Sequence, residues 1–262
     1  MSDYRTILFE LADNVATVTF NRPDRMNALI PRVFAELVDA MDKAVDGGAR
    51  ALILTAAGRA FCSGADLIDE NGNFGLPEDV GGLLDESYNP GLRKMADYPL
   101  PIVTALNGPA VGAGVGVALS GDIVIAARSA FLQMAFVNVG LVPDAGSSWF
   151  VAKGVGRAKA LEMALLGEKL SADDAKAAGL IARIVDDADL MVEARKIAVR
   201  LATGPTMAIR MMRKQVASAL NLTLSETLDL EAANQTVAGR TRDCAEGVAG
   251  FIEKRKPIFE GH

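Results

Sequence analysis

Asn107-Gly108-Pro109-Ala110-Val111-Gly112-Ala113-Gly114-Val115-Gly116 leaves the apolar run Pro101-Ile102-Val103-Thr104-Ala105-Leu106 and opens a helix-like apolar segment, after which residues 122–127 read as another strand. Apolar, β-branched runs bounded by glycine are strands, and a glycine turn from strand into helix is the punctuation of an α/β chain. The same order occurs upstream. Residues 14–20 alternate and are rich in Val and Thr, and Asn21-Arg22-Pro23-Asp24 turns the chain. Pro31 then opens a helix whose Val33, Leu37, Ala40, Met41 and Ala44 form one apolar stripe, stopped at Gly47-Gly48. Residues 50–55 read as a short buried strand, and Ala60-Phe61-Cys62-Ser63-Gly64-Ala65-Asp66-Leu67 follows as a second turn of the same kind. Two such rounds predict an α/β core of repeated ββα or βαβ units.

Between the rounds, residues 70–98 are the least regular stretch, rich in glycine and proline, with one helix expected around Leu92-Arg93-Lys94-Met95. A loop of this length reads as a mobile lid over a cleft. The last third is helical. Ser171-Ala172-Asp173-Asp174 fits a variant capping box, and Gly179 ends that helix before a strand over 181–185. Further helices are expected over 191–202, 206–220, 225–238 (capped by Thr223 and Glu226) and 243–256. The chain thus divides into an α/β core, 1–200, and a helical appendage, 201–262.

Composition narrows the chemistry. The 262 residues are 50 % hydrophobic and 23 % charged, enough to bury a core without disulfide or metal staples. Lys plus Arg is 27 against 33 Asp plus Glu, a net charge of −6, so there is no basic field for nucleic acid or an anionic membrane. Cys62 and Cys244 form no disulfide framework. No run approaches about 18 apolar residues, and MSDYRTILFE carries no signal-like segment, so a cytoplasmic protein is expected. The single histidine is His262, at the very end. A nucleophile–histidine system or a histidine-based metal site needs an imidazole held in a cleft, so both are excluded. Acid–base chemistry falls to carboxylates, lysines, tyrosines or water.

Of the glycine turns, Gly112-Ala113-Gly114-Val115-Gly116-Val117 misses the dinucleotide fingerprint, which needs glycine where Val117 stands. What such turns do supply is approachable backbone N–H groups. Two of them converging on one carbonyl oxygen would stabilise an enolate or a tetrahedral anion. Asp66 in the first turn reads equally as a turn cap.

Asn21-Arg22-Pro23 with Asn27-Ala28-Leu29, Phe61-Cys62-Ser63-Gly64-Ala65-Asp66-Leu67, Asn107 to Gly114, Gly121-Asp122-Ile123, Gly140-Leu141-Val142-Pro143-Asp144-Ala145-Gly146 and the tail Phe251-Ile252-Glu253-Lys254-Arg255-Lys256 resemble, in order, the crotonase (enoyl-CoA hydratase/isomerase) superfamily. The resemblance implies a ClpP-like spiral of ββα units with a C-terminal helical trimerisation region, assembled as a homotrimer or a dimer of trimers. It implies acyl-CoA thioester substrates, no metal, and no cofactor beyond the coenzyme A of the substrate. The family's two oxyanion-hole N–H groups fall on Ala65 and Ala113. CoA contacts fall on Arg25 and Met26 at the adenosine end and on Ser63, Gly64, Asp66, Leu67, Gly112 and Phe136 along the thioester path. Phe251 and Lys254 match tail residues that reach CoA, often from a neighbouring subunit; an ordinary solvated helix is their other reading. Asp122 reads as structural, and Cys62 as a small buried residue.

Departures from the family pattern carry the finer reading. The two glutamates with which hydratases hold water fall on Gly116 and Phe136, neither of which can move a proton. Asp144 is the carboxylate that remains, among apolar residues. Similar Gly-Leu-x-Pro-Asp segments, with a tryptophan five residues on as Trp149 is here, occur in ring-1,2-epoxyphenylacetyl-CoA isomerases. Desolvation by Phe136, Leu141 and Val142 would raise the Asp144 pKa and let one group accept and return a proton. The expectation is an acyl-CoA isomerase that shifts a double bond or rearranges a ring epoxide. A hydratase recruiting an unrecognised base from the lid and a non-catalytic acyl-CoA-binding subunit are the alternatives; if Asp144 is not the proton shuttle, the lid carboxylates Asp69, Glu70 and Asp85 are the next candidates. In the bland reading Asp144 merely caps the following helix.

Overall fold

The computed structural model describes residues 4–68 and 75–262. The expected α/β core is present. Strands β1 (Ile7–Ala12) and β2 (Val15–Phe20) pair antiparallel as a hairpin. Helix α1 (Pro31–Asp46) follows with Pro31 in its first turn, where a missing N–H costs nothing, and stops at Gly47. Its Val33, Leu37, Ala40, Met41 and Ala44 are buried, as the stripe predicts, and Phe34 is buried beside them. Strand β3 (Ala51–Ala56) then lies parallel to β2, with Val15 opposite Ala51.

The helix expected around Leu92 to Met95 is present, and the stretch before it, expected to be irregular, is helical from Val80 onward. Helix α2 (Val80–Leu83) passes through a π-helical turn, Leu84–Tyr88, into α3 (Asn89–Asp97). Pro90 has no N–H to give to the carbonyl four residues back, and the chain takes the wider turn just before it. Tyr88, Met95 and Tyr98 are buried, so residues 80–98 are packed rather than a loose lid. Asp69 and Glu70 lie outside the described residues, and Asp85 accepts a hydrogen bond from Asn89 at 2.8 Å.

The second round comprises β4 (Ile102–Leu106), the short β5 (Ala110–Val111), α4 (Ala113–Leu119), β6 (Ile123–Ala127) and β7 (Phe131–Gln133). Next come α5 (Ser147–Leu166), β8 (Lys169–Ser171), α6 (Ala172–Ala177), β9 (Arg183–Val185) and α7 (Leu190–Ala202). The main sheet has the order β1-β2-β3-β4-β6-β9, parallel from β2 onward, and β5-β7-β8 form a second small sheet. Every residue of β3 and β4 is buried, as parallel strands covered on both faces must be. α7 packs across β3, β4 and β6. Its last turn contains position 200, so the boundary set there falls inside a helix, and the chain leaves the core at Gly204-Pro205.

Helices α8 (Thr206–Ala219), α9 (Leu224–Ala238) and α10 (Arg242–Glu253) follow. Thr223 and Glu226 make the expected capping box, and Ser171 caps α6 through the Asp174 N–H. α10 stops three residues earlier than expected because Lys254 turns left-handed (φ 54°), and the Arg255 N–H closes onto the Gly250 carbonyl. Polar ties hold these helices to the core. Arg50 donates to Thr206 Oγ1, the Gly204 carbonyl and the Phe259 carbonyl. Arg213 on α8 pairs with Asp122 at 2.6 Å, and Asp122 also accepts the Ile102 N–H, so Asp122 is structural. Among the described residues no helix is long and apolar enough to cross a membrane.

Candidate active site

Two isolated bridges stitch the glycine turns together. Leu29 pairs with Ala65, and Cys62 with Ala110. In the first, the Leu29 N–H donates to the Gly64 carbonyl (2.7 Å) and the Leu29 carbonyl accepts the Asp66 N–H (2.9 Å). Successive groups along an extended chain alternate sides, so the N–H of Ala65 faces away from Leu29. Ala113 is the first residue of α4, where N–H groups have no partner within the helix. Gly112, with φ 56°, lets the chain enter α4. Gly64 has φ 94°, and a Cβ built on it would sit 3.0 Å from the Val111 carbonyl oxygen and 3.6 Å from Ala113 N. Only glycine permits the two turns to approach this closely.

A cleft of about 100 Å³ opens between them, lined by Ser63, Gly64, Ala65, Leu67, Gly112, Ala113, Phe136 and Leu141, with Asp144 among its walls. The Phe136 ring lies 4.0 Å from where a Cβ on Gly112 would stand. Asp144 sits on a turn whose next two residues, Ala145 and Gly146, are both left-handed (φ 50° and 73°). Its backbone carbonyl accepts both the N–H (2.9 Å) and the hydroxyl (2.7 Å) of the buried Ser147. The carboxylate makes no cap: α5 begins after Gly146 with no side-chain cap at all. Oδ1 of Asp144 is shielded from solvent and has no hydrogen-bond partner among the described residues. Burial pushes this carboxyl up to about 6. Phe136 and Leu141 share in that burial, but Val142 does not, being 79 % exposed.

Gly116 lies against the same turn. A Cβ there would meet the Ala145 carbonyl oxygen at 2.0 Å and Ser147 N at 3.1 Å. The turn's backbone occupies the space that any side chain at 116 would need.

A family model described as enoyl-CoA hydratase/isomerase matches residues 10–262. The chain belongs to the enoyl-CoA hydratase/isomerase family. It is 44 % identical over 257 residues to the 1,2-epoxyphenylacetyl-CoA isomerase of Escherichia coli K12, covering 97 % of this chain and 98 % of that protein. It is 43 % identical over 260 residues to a "Probable enoyl-CoA hydratase" of Rhodobacter capsulatus, covering 98 % and 99 %. The crystal structure of an enoyl-CoA hydratase from Bacillus anthracis superimposes with a TM-score of 0.91 at 28 % identity, covering 98 % of this chain and all of that one (100 %). The crotonase fold expected from the sequence is therefore the fold of this chain, and its relatives include proteins named for both isomerisation and hydration.

Within this family member, Arg25 and Met26 do not line the cleft but stand beside it, the Met26 carbonyl accepting the Ser63 N–H at 3.1 Å. Asp66, expected along the thioester path, is not among the residues that line the cleft. Its carboxylate is taken by Arg22 at 2.8 Å. Arg22 also donates to the Ala28 carbonyl, and buried Asn27 ties the same loop to the carbonyls of Ala57 and Ala60 at 2.8 Å each. Arg22 and Asn27 stand in the quoted Asn-Arg-Pro and Asn-Ala-Leu segments, yet only their contacts disclose that they brace the first turn. Cys62 is fully buried, and that burial pushes its thiol up to about 12, which leaves no thiolate for chemistry. Phe251, 86 % exposed, and Lys254 are not brought to their own chain's cleft. Among the described residues no cluster of three His, Cys, Asp or Glu side chains could hold a metal ion.

Proposed function

We propose that this protein is an acyl-CoA isomerase that moves a double bond from the β,γ to the α,β position of a thioester. The N–H groups of Ala65 and Ala113 hold the thioester oxygen. The Asp144 carboxylate takes a proton from C2; the C–H electron pair moves toward the carbonyl, and the negative charge rests on the held oxygen. Asp144 then returns the proton to C4 as the C2–C3 double bond forms. Oxyanion donors of this type are each typically worth about 2.7–4 kcal/mol. A carboxyl titrating near 6 suits both halves of the transfer, because it is neither too weak a base nor too reluctant an acid. The reading asks for no cofactor beyond the substrate's own coenzyme A.

The observation that carries the reading is the pairing of Asp144, whose Oδ1 is shielded from solvent and without a hydrogen-bond partner among the described residues, with a blocked Gly116. Adding water across a double bond requires a group to hold and deprotonate that water. Phe136 cannot do so, and the Ala145 carbonyl fills the other position. The names of several relatives favour hydration, so the two reactions are tested side by side. With 3-hexenoyl-CoA, conjugation absorbance should rise, while crotonyl-CoA should yield 3-hydroxybutyryl-CoA at rates orders of magnitude lower. Comparable rates would overturn the reading in favour of a hydratase, and turnover of neither would favour a binding subunit. A panel of aliphatic and aryl-acetyl thioesters, ring epoxides included, identifies the acyl group.

Phe251 and Lys254 complete the CoA site from a second copy of the chain in this proposal, within a homotrimer or a dimer of trimers. Two observations support it. No residue beyond Asp144 lines the cleft, and α10 leaves Val248, Phe251 and Ile252 exposed.

A further inference from the structure

Tyr88 belongs to the π-helical turn between α2 and α3 and is 2 % exposed. Its ring lies tilted against Phe34 with centroids 4.7 Å apart, and its hydroxyl donates to the Leu29 carbonyl at 2.9 Å. That carbonyl is the one that also accepts the Asp66 N–H, and Leu29 donates in turn to the Gly64 carbonyl. Leu29 is thus held by Tyr88 and bonded to both neighbours of Ala65. Burial raises the phenol's pKa, with the nearby Asp144 charge adding to the effect, so the hydroxyl remains a donor throughout the working pH range. The π-turn matters because it widens the helix by one residue, the Asn89 N–H bonding to the Leu84 carbonyl, and so sets the angle at which Tyr88 leaves the helix.

We infer that Tyr88 is a positioning residue for the Ala65 N–H donor, acting through Leu29, and that it couples the packing of helix 80–97 to the strength of carbonyl polarisation in the cleft. The inference rests on the proposed role of Ala65. An oxyanion donor is effective only within a few tenths of an ångström of its working position, about 2.7–3.1 Å from the oxygen. Without the hydroxyl, the Leu29 N–H on the Gly64 carbonyl and the Asp66 N–H on the Leu29 carbonyl still hold Leu29, but its carbonyl oxygen keeps one donor instead of two. The hydroxyl supplies the second anchor.

Tyr88→Phe keeps the ring on Phe34 and removes only the hydroxyl. Tyr98→Phe is the matched control, since Tyr98, which directly follows α3, is equally buried and its hydroxyl donates to the Met41 carbonyl at 2.7 Å, in the core. Two readouts are taken on each: isomerisation of 3-hexenoyl-CoA, and the absorption red shift of bound 4-dimethylaminocinnamoyl-CoA, which reports carbonyl polarisation without turnover. Tyr88→Phe should lower kcat about three- to tenfold, as for one lost neutral hydrogen bond, with KM changed less than about twofold. It should also shrink the red shift, while Tyr98→Phe costs similar thermal stability and leaves the shift intact. A full red shift in Tyr88→Phe, or an equal loss in Tyr98→Phe, overturns the assignment. A normal red shift in the wild type without isomerisation would refute the isomerase reading but leave the Tyr88 comparison valid. No red shift in the wild type would refute the Ala65 role and the Tyr88 assignment with it.

Discussion

The Cβ that Gly116 lacks would stand 2.0 Å from the carbonyl oxygen of Ala145. Non-bonded carbon and oxygen do not approach so closely, and the obstructing atom is backbone, which cannot rotate aside. Position 116 on α4 and the turn that presents Asp144 are therefore mutually exclusive with a side chain at 116. The turn takes this course because Ala145 and Gly146 both adopt left-handed conformations and Ser147 ties back to the Asp144 carbonyl.

Gly116→Ala should accordingly destabilise the fold by about 1–3 kcal/mol or more, measured by chemical denaturation. Gly116→Glu should not hydrate crotonyl-CoA, even though it restores a carboxylate in name. A stable Gly116→Glu protein with hydratase activity would show that the turn yields readily.

Ser147→Ala removes the hydroxyl that accompanies the Ser147 N–H on the Asp144 carbonyl. Losing one buried hydrogen bond should cost about 0.5–1.5 kcal/mol of stability. It should also lower kcat more than it raises KM, because the carboxylate's aim is loosened while the thioester donors remain. A change in KM alone would place Ser147 with substrate binding instead.

Much of this arrangement is visible in the sequence wherever the controlling interaction is local. Pro31 and Gly47 bound α1, Ser171 and Thr223 cap their helices, and the glycines at 64 and 112 announce turns whose backbones approach closely. α5 escapes because its apolar residues are spread around its circumference and Gly156 (φ 75°) breaks it midway. Of helix 80–97 only the part around Leu92 to Met95 is legible, because Gly81, Gly82, Pro90 and Gly91 all argue locally against the rest. Gly91 is there so that α3 can lie on Phe34, whose ring would be 2.5 Å from a Cβ. Likewise Asp144 can be singled out as a lone carboxylate, but its unpartnered oxygen and the obstruction of Gly116 follow from contacts between distant segments.

Burying Asp144 in its charged form should reduce stability at neutral pH. Its pKa rises from 3.8 to about 6 on folding, so the native state binds more protons between those values. Stability associated with this group is full below pH 3.8 and is lost as pH rises through about 6, by up to about 3 kcal/mol. Asp144→Asn does not titrate, so relative to wild type it should gain stability between pH 4 and pH 8. Parallel stability curves for the two proteins would show that the carboxyl is not shifted.

Lys254→Ala should raise KM for acyl-CoA about tenfold with kcat nearly unchanged, as for a remote phosphate contact made equally in ground and transition states. Because the contact is proposed to come from a second copy, sedimentation should find trimers or hexamers. A monomer that retains full affinity would remove both Phe251 and Lys254 from the site.

Asp144 is the group proposed to carry the proton, and Asp144→Asn removes that capacity while keeping the side chain's size. Isomerisation of 3-hexenoyl-CoA by this variant should fall about 10²–10⁴-fold, equivalent to roughly 3–5 kcal/mol of barrier. Binding of a non-reactive acyl-CoA should change little, and C2 deuterium uptake in heavy water should vanish. Wild-type kcat/KM should rise with pH through about 6 to a plateau, as the carboxylate forms. Near wild-type turnover by Asp144→Asn, with C2 exchange intact, would contradict the account and place the proton shuttle on another residue.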